Sequence, residues 1–479
     1  MRLKQLLKDY NVKNEFDDAE ITGIAYDSRK VKPGDVFVCI SGFETDGHKY
    51  AGKAVEKGAA AVIAEHAVDA GVPTAVVENT RHALSYAADV FYGHPSGKFR
   101  LVGVTGTNGK TTTTFLVKSI LEKAGHKVGL IGTNKNMIGE RELPSERTTP
   151  ESLELTELFA EMAKEGADFV VMEVSSHSLS LSRVEFCEFG VGAFTNLTQD
   201  HLDFHKTMEN YLAAKKKLFD MCKTGVINAD DEGGRKILAD CSCVSVSYGI
   251  DSAADILAGN IDYGAHGVDF DCDALGAAMR IHINTPGRFS VYNALAAVGI
   301  CTALGISAED ISEGLRSVPG VCGRAEVVPT GRDYTVMIDY AHTPDGIENI
   351  LKSIRGFAKG RIVILFGCGG DRDRTKRPKM GRIAGELADF CVVTSDNPRT
   401  EDPGEIIKEI IPGVEETGCP YTVIENRKEA IRYALDNAET GDVILLAGKG
   451  HETYQILKSG KIHFDEREIV HEILGEEQV

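Results

Sequence analysis

The feature that most constrains this chain is a glycine-rich loop between an apolar run and a helical pattern. Residues 101–114 are Leu-Val-Gly-Val-Thr-Gly-Thr-Asn-Gly-Lys-Thr-Thr-Thr-Thr. Gly106 and Gly109 allow backbone N–H groups to approach an anion, and the helix that follows adds the positive end of its dipole. Lys110 can reach the outer phosphates of a nucleotide, and the Thr111 hydroxyl can ligate magnesium. The loop therefore predicts a nucleotide-phosphate site, although its spacing departs from the common G-x-x-x-x-G-K-T pattern.

Length, charge and cysteine usage exclude several classes of protein. A chain of 479 residues is too long for one core, so we expect about two to four domains. The net charge of −19 argues against a general nucleic-acid binder, and no apolar run is long enough to span a bilayer. The N-terminus lacks the apolar region of a signal peptide. Eleven cysteines without framework spacing indicate reduced thiols in a cytoplasmic protein.

Strand and helix patterns alternate along the chain, which predicts an α/β fold with mostly parallel sheets. A linker-like segment at 94–97 and a Gly-rich junction at 320–326 divide the chain. We therefore predict three domains, at residues 1–97, 98–326 and 327–479.

Several polar groups follow the phosphate loop. The strand at 169–173 ends in Glu173, and a carboxylate at the end of a strand near such a loop can hold magnesium directly or through water. The loop 195–205 combines two histidines with two aspartates, which can ligate metal or form a solvated loop. The helix at 208–221 carries three consecutive lysines, which by themselves indicate a basic face. The threonines before Pro150 predict a capped helix start.

Four strands of the last domain each end in polar residues. They lie within 336–345, 361–374, 391–399 and 443–452. Ligands of open parallel sheets bind beyond the carboxyl ends of the strands, so these four loops predict a binding site.

Taken together, the ordered motifs resemble the Mur ligase family, the ATP-dependent amide-forming enzymes of peptidoglycan precursor synthesis. The motifs are Thr105-Gly-Thr-Asn-Gly-Lys-Thr-Thr112, Glu173-Val-Ser-Ser-His177, Asn196-Leu-Thr-Gln-Asp-His201, Ala214-Lys215, Asn293-Ala-Leu-Ala-Ala297, Gly323-Arg324 and Asp339-Tyr-Ala-His-Thr-Pro344. The resemblance covers essentially the whole chain. It implies a first domain for the UDP end of the substrate, a central P-loop ATPase-like domain for ATP, and a C-terminal Rossmann-like domain for the incoming amino acid.

The resemblance also implies a reaction. The γ-phosphoryl group of ATP passes to the D-Glu side-chain carboxylate of UDP-N-acetylmuramoyl-L-alanyl-D-glutamate, and an amine then attacks the acyl phosphate. Gly369-Gly-Asp-Arg372, Asp396-Asn-Pro-Arg399 and Gly448-Lys-Gly-His-Glu452 resemble the members that add meso-2,6-diaminopimelate. The implied cofactors are ATP and Mg²⁺, and the implied partners are these small molecules, with no nucleic acid and no membrane. We expect a cytoplasmic monomer.

Site residues are carried over onto matching positions. The ATP site implied by the resemblance comprises Gly106, Thr107, Asn108, Gly109, Lys110, Thr111, Thr112, Asn293, Arg324 and Asp339. The catalytic set is Lys110, Glu173, His201 and Lys215, and the metal ligands are Thr111, Glu173, His201 and Lys215. In this family the matching lysine is carbamoylated, which turns a cation into an oxygen-donor anion suited to magnesium. Lys216 and Lys217 keep the interpretation as a solvated face.

Two substrate sites follow in the same way. The residues implied for the UDP-substrate are Ser28, Phe43, Glu44, Thr45, Thr148, Thr149, Ser175 and Arg183, although Ser28 by composition is a turn-former. Those implied for diaminopimelate are Arg372, Asp396, Asn397, Pro398, Arg399, Gly448 and Glu452. A bidentate guanidinium recognises a carboxylate better than an ammonium does, so Arg399, with Arg372, favours diaminopimelate over lysine, and Glu452 can hold the distal ammonium.

Two alternatives remain open at this stage. One is another ligase on the same scaffold, such as a folylpolyglutamate synthetase or a lysine-adding enzyme. The other is a non-enzymatic nucleotide switch, against which the full set of Lys110, Glu173, His201 and Lys215 argues.

Overall fold

A computed structural model describes residues 1–42, 45–264 and 267–475. The predicted substrate residues Phe43 and Glu44 lie outside the described residues. The three predicted regions of strand–helix alternation each contain a sheet of their own, and the α/β class predicted from the sequence is confirmed.

The first sheet has four parallel strands in the order β1-β2-β3-β4. Its elements are α1 (Leu3–Leu6), β1 (Gly23–Ala25), β2 (Asp35–Val38), α2 (Ala51–Glu56), β3 (Ala61–Ala64), β4 (Thr74–Val76) and α3 (Thr80–Phe91). The segment predicted as a linker forms a 3₁₀ turn, Pro95–Lys98, before the next strand. Tyr26, directly after β1, donates a hydrogen bond of 2.6 Å to Glu154 and so ties this sheet to the next region.

The central sheet has eleven strands in the order β15-β14-β13-β12-β11-β10-β5-β9-β6-β7-β8. Its strands are β5 (Arg100–Thr105), β6 (Val128–Ile131), β7 (Asn136–Ile138), β8 (Arg141–Leu143), β9 (Phe169–Glu173), β10 (Phe189–Phe194), β11 (Cys222–Asn228), β12 (Val244–Gly249), β13 (Ile256–Gly264), β14 (Gly267–Ala274) and β15 (Ala277–Ile283). Its helices are α4 (Lys110–Lys123), α5 (Ser152–Lys164), α6 (Ser176–Ser180), α7 (Leu202–His205), α8 (Met208–Met221), α9 (Glu232–Asp240), α10 (Arg288–Ala303) and α11 (Ala308–Ser317). The run from β6 to β13 is parallel, and both margins are antiparallel.

The third sheet follows the order β16-β17-β21-β18-β19-β20, and only its β16–β17 pair is antiparallel. Its strands are β16 (Glu326–Val328), β17 (Thr335–Asp339), β18 (Ile362–Phe366), β19 (Phe390–Val393), β20 (Tyr421–Val423) and β21 (Val443–Ala447), followed by the hairpin β22 (Tyr454–Leu457) and β23 (Gly460–His463). Its helices are α12 (Pro344–Arg355), α13 (Lys376–Leu387), α14 (Pro403–Glu415), α15 (Arg427–Asp436) and α16 (Glu466–Leu474). Apolar clusters cover both faces of this sheet.

One local prediction is wrong. The threonines before Pro150 do not cap a helix, because α5 begins at Ser152 and Glu151 accepts from the Ser152 N–H at 3.4 Å. Thr149 is instead buried against the end of β9, where its hydroxyl donates to the Glu173 carbonyl at 2.8 Å. A tertiary contact has therefore overridden the local capping preference of threonine.

No helix within the described ranges is both long enough and apolar enough to cross a bilayer.

Candidate active site

The phosphate loop joins β5 to α4, and β5 lies between β9 and β10 in the sheet. Gly109 has φ +86°, and a Cβ there would lie 2.3 Å from the Asn293 Oδ1. Gly106 has φ +149°, and a Cβ would lie 1.8 Å from the Thr195 Oγ1. Both positions therefore require glycine. The close approach also places the predicted ATP residue Asn293 directly against the loop.

Lys110 is turned back onto its own loop in this structure. Its ammonium donates to the carbonyls of Gly106 at 2.9 Å and Thr107 at 2.8 Å. Burial lowers the pKa of Lys110, and the nearby Glu173 carboxylate opposes that shift. The side chain therefore has to leave these carbonyls to meet a phosphate.

The Glu173 carboxylate lies beside the first turn of α4. The Thr111 hydroxyl donates to its Oε1 at 3.0 Å, the Thr133 N–H donates to the same oxygen at 2.8 Å, and the Thr133 hydroxyl donates to the Oε2 at 3.0 Å. The side chain is buried.

From the C-terminal side, the Arg324 guanidinium donates to the Thr111 hydroxyl at 3.2 Å and lies 4.8 Å over the Tyr340 ring. Residues far apart in sequence thus converge on Thr111. Thr112, another loop residue of the predicted ATP set, is buried in the same turn.

Asp339 has a structural role that the sequence did not predict. Its half-buried carboxylate accepts from the N–H groups of Ala325 and Ala341, both at 2.7 Å. Burial raises the pKa of Asp339, and Arg324 opposes the shift. The side chain therefore fixes the backbone next to Arg324.

A second group surrounds Lys215 on α8. Lys215 is buried, with its Nζ 4.3 Å over the Tyr211 ring, whereas Lys216 is half-buried and Lys217 exposed, as expected for a solvated face. Burial, reinforced by the nearby Lys110, lowers the pKa of Lys215 well below its ordinary value, which favours the neutral amine. The helix periodicity therefore turns one of the three lysines inward.

Histidine side chains lie beside the Lys215 and Tyr211 side chains. The His201 ring lies 4.8 Å from that of His177 and 6.2 Å from that of Tyr211. Desolvation by the neighbouring groups lowers the pKa of His201 to about 4, although nearly half of the side chain is exposed and the Asp200 carboxylate 3.4 Å away opposes the shift. A neutral imidazole is the form that can bind a metal ion.

The predicted dipeptide-binding residues come together at the end of β9. The Ser175 N–H donates to the Thr149 hydroxyl at 3.0 Å, and Thr148 accepts from Thr133 at 2.9 Å. Arg183 donates from its Nη1 to the Thr149 carbonyl at 3.2 Å, and its Nε forms an ion pair with the Glu151 Oε1 at 3.2 Å. Glu151 therefore holds the Arg183 guanidinium in place beside Thr149.

The two described residues of the predicted uridine region lie apart from the Thr149 group, in loops beside the first sheet. Ser28 is half-buried in the turn after β1, and Thr45 is exposed with its hydroxyl 3.2 Å from the Tyr50 OH. Neither residue contacts the Thr149 group through a hydrogen bond given by the structure. An extended ligand would have to span the two places.

A cavity of about 800 Å³ lies between the loop before α7 and the carboxyl edge of the third sheet. It brings together most of the predicted diaminopimelate residues with His201, and its lining includes Arg372, Asp396, Asn397, Arg399, Gly448 and Glu452. Pro398, also predicted, accepts at its carbonyl from the Glu401 N–H at 3.0 Å and forms part of the turn below Arg399.

Arg399 is held at the wall of this cavity. Its φ is +55°, its N–H donates to Ile456 in β22 at 3.1 Å, and its Nη1 donates to the Gly370 carbonyl at 2.8 Å. The other guanidinium nitrogens leave a fork for a carboxylate.

Two further residues of the site are not in the predicted set: Asp345 directly follows the motif that ends at Pro344, and Lys449 lies inside Gly448-Lys-Gly-His-Glu452. Asp345, at the start of α12, accepts from Asn108 and Thr198. Lys449 is buried beneath Glu452. The one available signal was a charged residue at a helix start, or at the end of an apolar strand.

The donor set fits magnesium only in part. Thr111 and Glu173 place a hydroxyl and a carboxylate 3.0 Å apart, both suited to a hard cation. Within the described ranges, however, no group of three or more His, Cys, Asp or Glu could hold a metal by itself. Magnesium commonly keeps waters and takes ligand phosphates, so the pair fits a nucleotide-bound ion.

Comparisons with known proteins agree across the chain. Family models described as "Mur ligase family, catalytic domain", "Mur ligase middle domain" and "Mur ligase, glutamate ligase domain" match residues 20–92, 104–301 and 323–450. A UDP-N-acetylmuramoyl-L-alanyl-D-glutamate–2,6-diaminopimelate ligase of Caldanaerobacter subterraneus subsp. tengcongensis is 51% identical, with 100% of both chains covered. That of Clostridium tetani is 49% identical over 99% of this chain and 100% of its own.

Solved structures of Mur ligases have a similar fold. One of a UDP-N-acetylmuramoyl-L-alanyl-D-glutamate–2,6-diaminopimelate ligase is 31% identical, covers 95% of each chain and has a TM-score of 0.69. The MurF ligase from Thermotoga maritima in complex with ADP is 19% identical, with coverage of 94% and 96% and a TM-score of 0.61, and supports the fold alone.

Proposed function

The chain belongs to the Mur ligase family, and on that premise we propose that it joins meso-2,6-diaminopimelate to UDP-N-acetylmuramoyl-L-alanyl-D-glutamate at the expense of ATP. The observation that carries the proposal is the cavity in which His201 of the central region faces Arg399 and Glu452 of the C-terminal region. The relatives that are about half identical over their full length carry the name of this activity.

In the proposed first step, a carboxylate oxygen of the substrate attacks the γ-phosphorus of ATP, and ADP leaves. Two anions must approach each other, so positive charge has to be in place beforehand. Lys110 and the loop N–H groups supply part of it, and Arg324 adds a guanidinium from the C-terminal side. Magnesium held by Thr111 and Glu173, and by His201 with carbamoylated Lys215, would supply Lewis acidity when bound.

Lys215 supports the carbamate proposal through its surroundings. The amine is buried between Tyr211 and the histidines, and no ion pair joins it to a carboxylate among the described residues. A bare amine in that place would contribute no oxygen ligand, whereas a carbamate contributes two.

In the proposed second step, the amine of diaminopimelate attacks the acyl carbon, and phosphate leaves. Arg399 and Arg372 orient the distal carboxylate, while Asp396 and Glu452 receive the distal ammonium. Thr148, Thr149, Ser175 and Arg183 hold the muramoyl dipeptide, and Ser28 with residues 43–45 holds the uridine end.

The domain plan is part of the proposal. Residues 1–97, 98–326 and 327–479 each contain one main sheet, which supports assigning them to the UDP-substrate, ATP and the amino acid. We place the enzyme in the cytoplasm, because ATP is available there and all eleven cysteines are free thiols. The monomeric state expected from the sequence remains part of the proposal.

The test is a ligation assay with purified full-length protein. Phosphate release and formation of the UDP-tripeptide should require ATP, magnesium, the UDP-dipeptide and diaminopimelate together. Removing magnesium with a chelator should abolish both, and adding it back should restore them. Phosphate release without any amino acid, or equal use of L-lysine, would contradict the proposal.

A further inference from the structure

Lys449 is a fully buried lysine directly beneath the proposed amino-acid site. Its side chain is 0% exposed, and its Nζ lies 3.0 Å from the Glu452 Oε2 and 3.3 Å from the Asn397 Oδ1. The rings of Tyr454 and Phe464 enclose it, each at 5.8 Å. Burying an ammonium without acceptors is costly, so these acceptors have to stay in place around it.

The ammonium determines which oxygen of Glu452 is available. Both Asn397 Nδ2 (2.8 Å) and Lys449 Nζ (3.0 Å) donate to the Oε2 of Glu452. Asn397 is itself fixed, because the Ile456 N–H donates to its Oδ1 at 2.9 Å. This frame leaves the Oε1 of Glu452 as the oxygen that can meet a ligand in the cavity.

Asp396 adds a second carboxylate, one oxygen of which accepts no hydrogen bond. Its Oδ1 is buried and makes no hydrogen bond, and the nearest cation, the Lys449 Nζ, is 3.8 Å away. Gly448, with φ +112°, borders the other oxygen, since a Cβ there would lie 3.3 Å from the Asp396 Oδ2. Buried polar atoms are rarely left without a partner, so a donor from a ligand is expected at this oxygen.

Charge gives the same conclusion. Asp396 and Glu452 carry two negative charges, and Lys449 carries one positive charge. The group is therefore one positive charge short, which suits one ammonium from a ligand. Without Lys449 the two carboxylates would repel each other, and Glu452 would lose one of the donors that orient it.

We infer that Lys449 is a positioning residue for amino-acid recognition, which aims the free oxygens of Glu452 and Asp396 at the distal ammonium of the diamino acid. The inference rests on the proposed function and deepens it. Lys449 itself touches neither substrate nor the reacting atoms. Its effect should therefore appear in amino-acid affinity rather than in turnover.

The test compares Lys449→Met with the wild-type enzyme under steady-state conditions. We expect the KM for diaminopimelate to rise about tenfold to a hundredfold, as loss of a hydrogen bond to a charged group implies. The kcat at saturating diaminopimelate and the KM for ATP should stay within about threefold of wild type. Lys408→Met, an exposed lysine in the same region, is the matched control and should change neither constant.

A double-mutant cycle separates this role from a structural one. If Lys449 acts through Glu452 and Asp396, Lys449→Met should raise the KM clearly less in a Glu452→Gln background than in the wild type, and by less than about threefold in a background that carries both Glu452→Gln and Asp396→Asn. If the effects of the separate substitutions on the KM for diaminopimelate simply multiply, the inference is overturned. A parallel loss of kcat and of ATP affinity in Lys449→Met would overturn it as well. If Lys449→Met does not fold, Lys449→Gln is measured in its place, and failure of both to fold would show that the lysine serves stability instead.

These outcomes are distinct from failure of the proposed function. A wild-type enzyme that does not ligate diaminopimelate refutes the function itself. A wild-type enzyme that does so, with Lys449→Met unchanged in KM, refutes only the inference.

Discussion

The side-chain amide of Asn108 donates a hydrogen bond of 2.7 Å to the Asp345 carboxylate, across 237 residues of sequence. Asn108 belongs to the phosphate loop, and Asp345 lies in the first turn of α12. The same carboxylate oxygen accepts from the Thr198 hydroxyl at 2.9 Å. One side chain of the C-terminal region therefore holds both the phosphate loop and the loop that leads to His201.

Replacing Asp345 with Ala should weaken the assembled site without unfolding either sheet. Each lost hydrogen bond to the carboxylate corresponds to about 1.5–3 kcal/mol when fully formed. We expect kcat/KM for ATP to fall about tenfold or more. Without the Asp345 carboxylate, the phosphate loop and the loop before His201 have to be ordered each time the C-terminal region closes on them. Asp345→Asn, which keeps an acceptor oxygen, should recover most of the loss. Lys352→Ala, exposed on the same helix, is the control, and a loss equal to that of Asp345→Ala would refute this prediction.

Replacing Lys215 with Ala should strongly reduce the rate of ligation. If the lysine acts as a carbamate, the loss should be about 100-fold or more, since an anionic oxygen ligand disappears from the site. A short carboxylic acid added to the Lys215→Ala protein should restore part of the activity, because it supplies the same oxygen donors. Lys217→Ala, on the exposed face of α8, should behave as wild type. No rescue across a range of carboxylic acids would count against the carbamate.

Replacing Arg399 with Ala should remove the preference for diaminopimelate over lysine. Loss of a desolvated charge-assisted pair costs about 2–5 kcal/mol, and lysine lacks the carboxylate that forms it. The kcat/KM for diaminopimelate should fall while that for lysine changes little, which a competition assay with both amino acids measures. Arg382→Ala, exposed on α13, serves as the control. An unchanged ratio in Arg399→Ala would remove this arginine from recognition.

Glu401 should make the protein sensitive to acid. Hydrogen bonds from the buried Arg377 and the Asp371 N–H lower the pKa of Glu401 to about 2. A lowered pKa stabilises the folded state above the unfolded value of about 4.3, and this contribution is lost as the pH falls towards 2. Thermal unfolding should therefore show Glu401→Gln less stable than wild type near neutral pH, with the difference shrinking below about pH 4.

Glu405→Gln provides the comparison, because Glu405 is exposed and pairs only with the exposed Lys408 among the ion pairs of this segment. Its unfolding midpoint should follow that of the wild type at every pH. A Glu401→Gln deficit that stays constant from neutral to acidic pH would contradict the assignment. Because Glu401 also orients the backbone next to Arg372, the variant should lose some amino-acid affinity as well.

Features that lie within short stretches of chain could be predicted from the residues alone. The phosphate loop is recognisable because its glycines, lysine and threonines are contiguous, and local geometry requires them there. Strand–helix alternation predicted the α/β class, and polar residues at four strand ends predicted the C-terminal site, because parallel strands present their carboxyl ends at one edge. The order of the motifs identified the family, which the comparisons then showed.

Tertiary structure decided the contacts that join distant segments. Only packing could bring Asn108 to Asp345, place Arg324 on Thr111, or bury Thr149 against β9 where a helix cap was predicted. Of three adjacent lysines, burial of one face of α8 selected Lys215. Lys449 was not among the residues predicted from the sequence, because its partners at 396–397 and in β22 come together with it only in the folded chain. Such contacts depend on three-dimensional proximity, which local propensity does not encode.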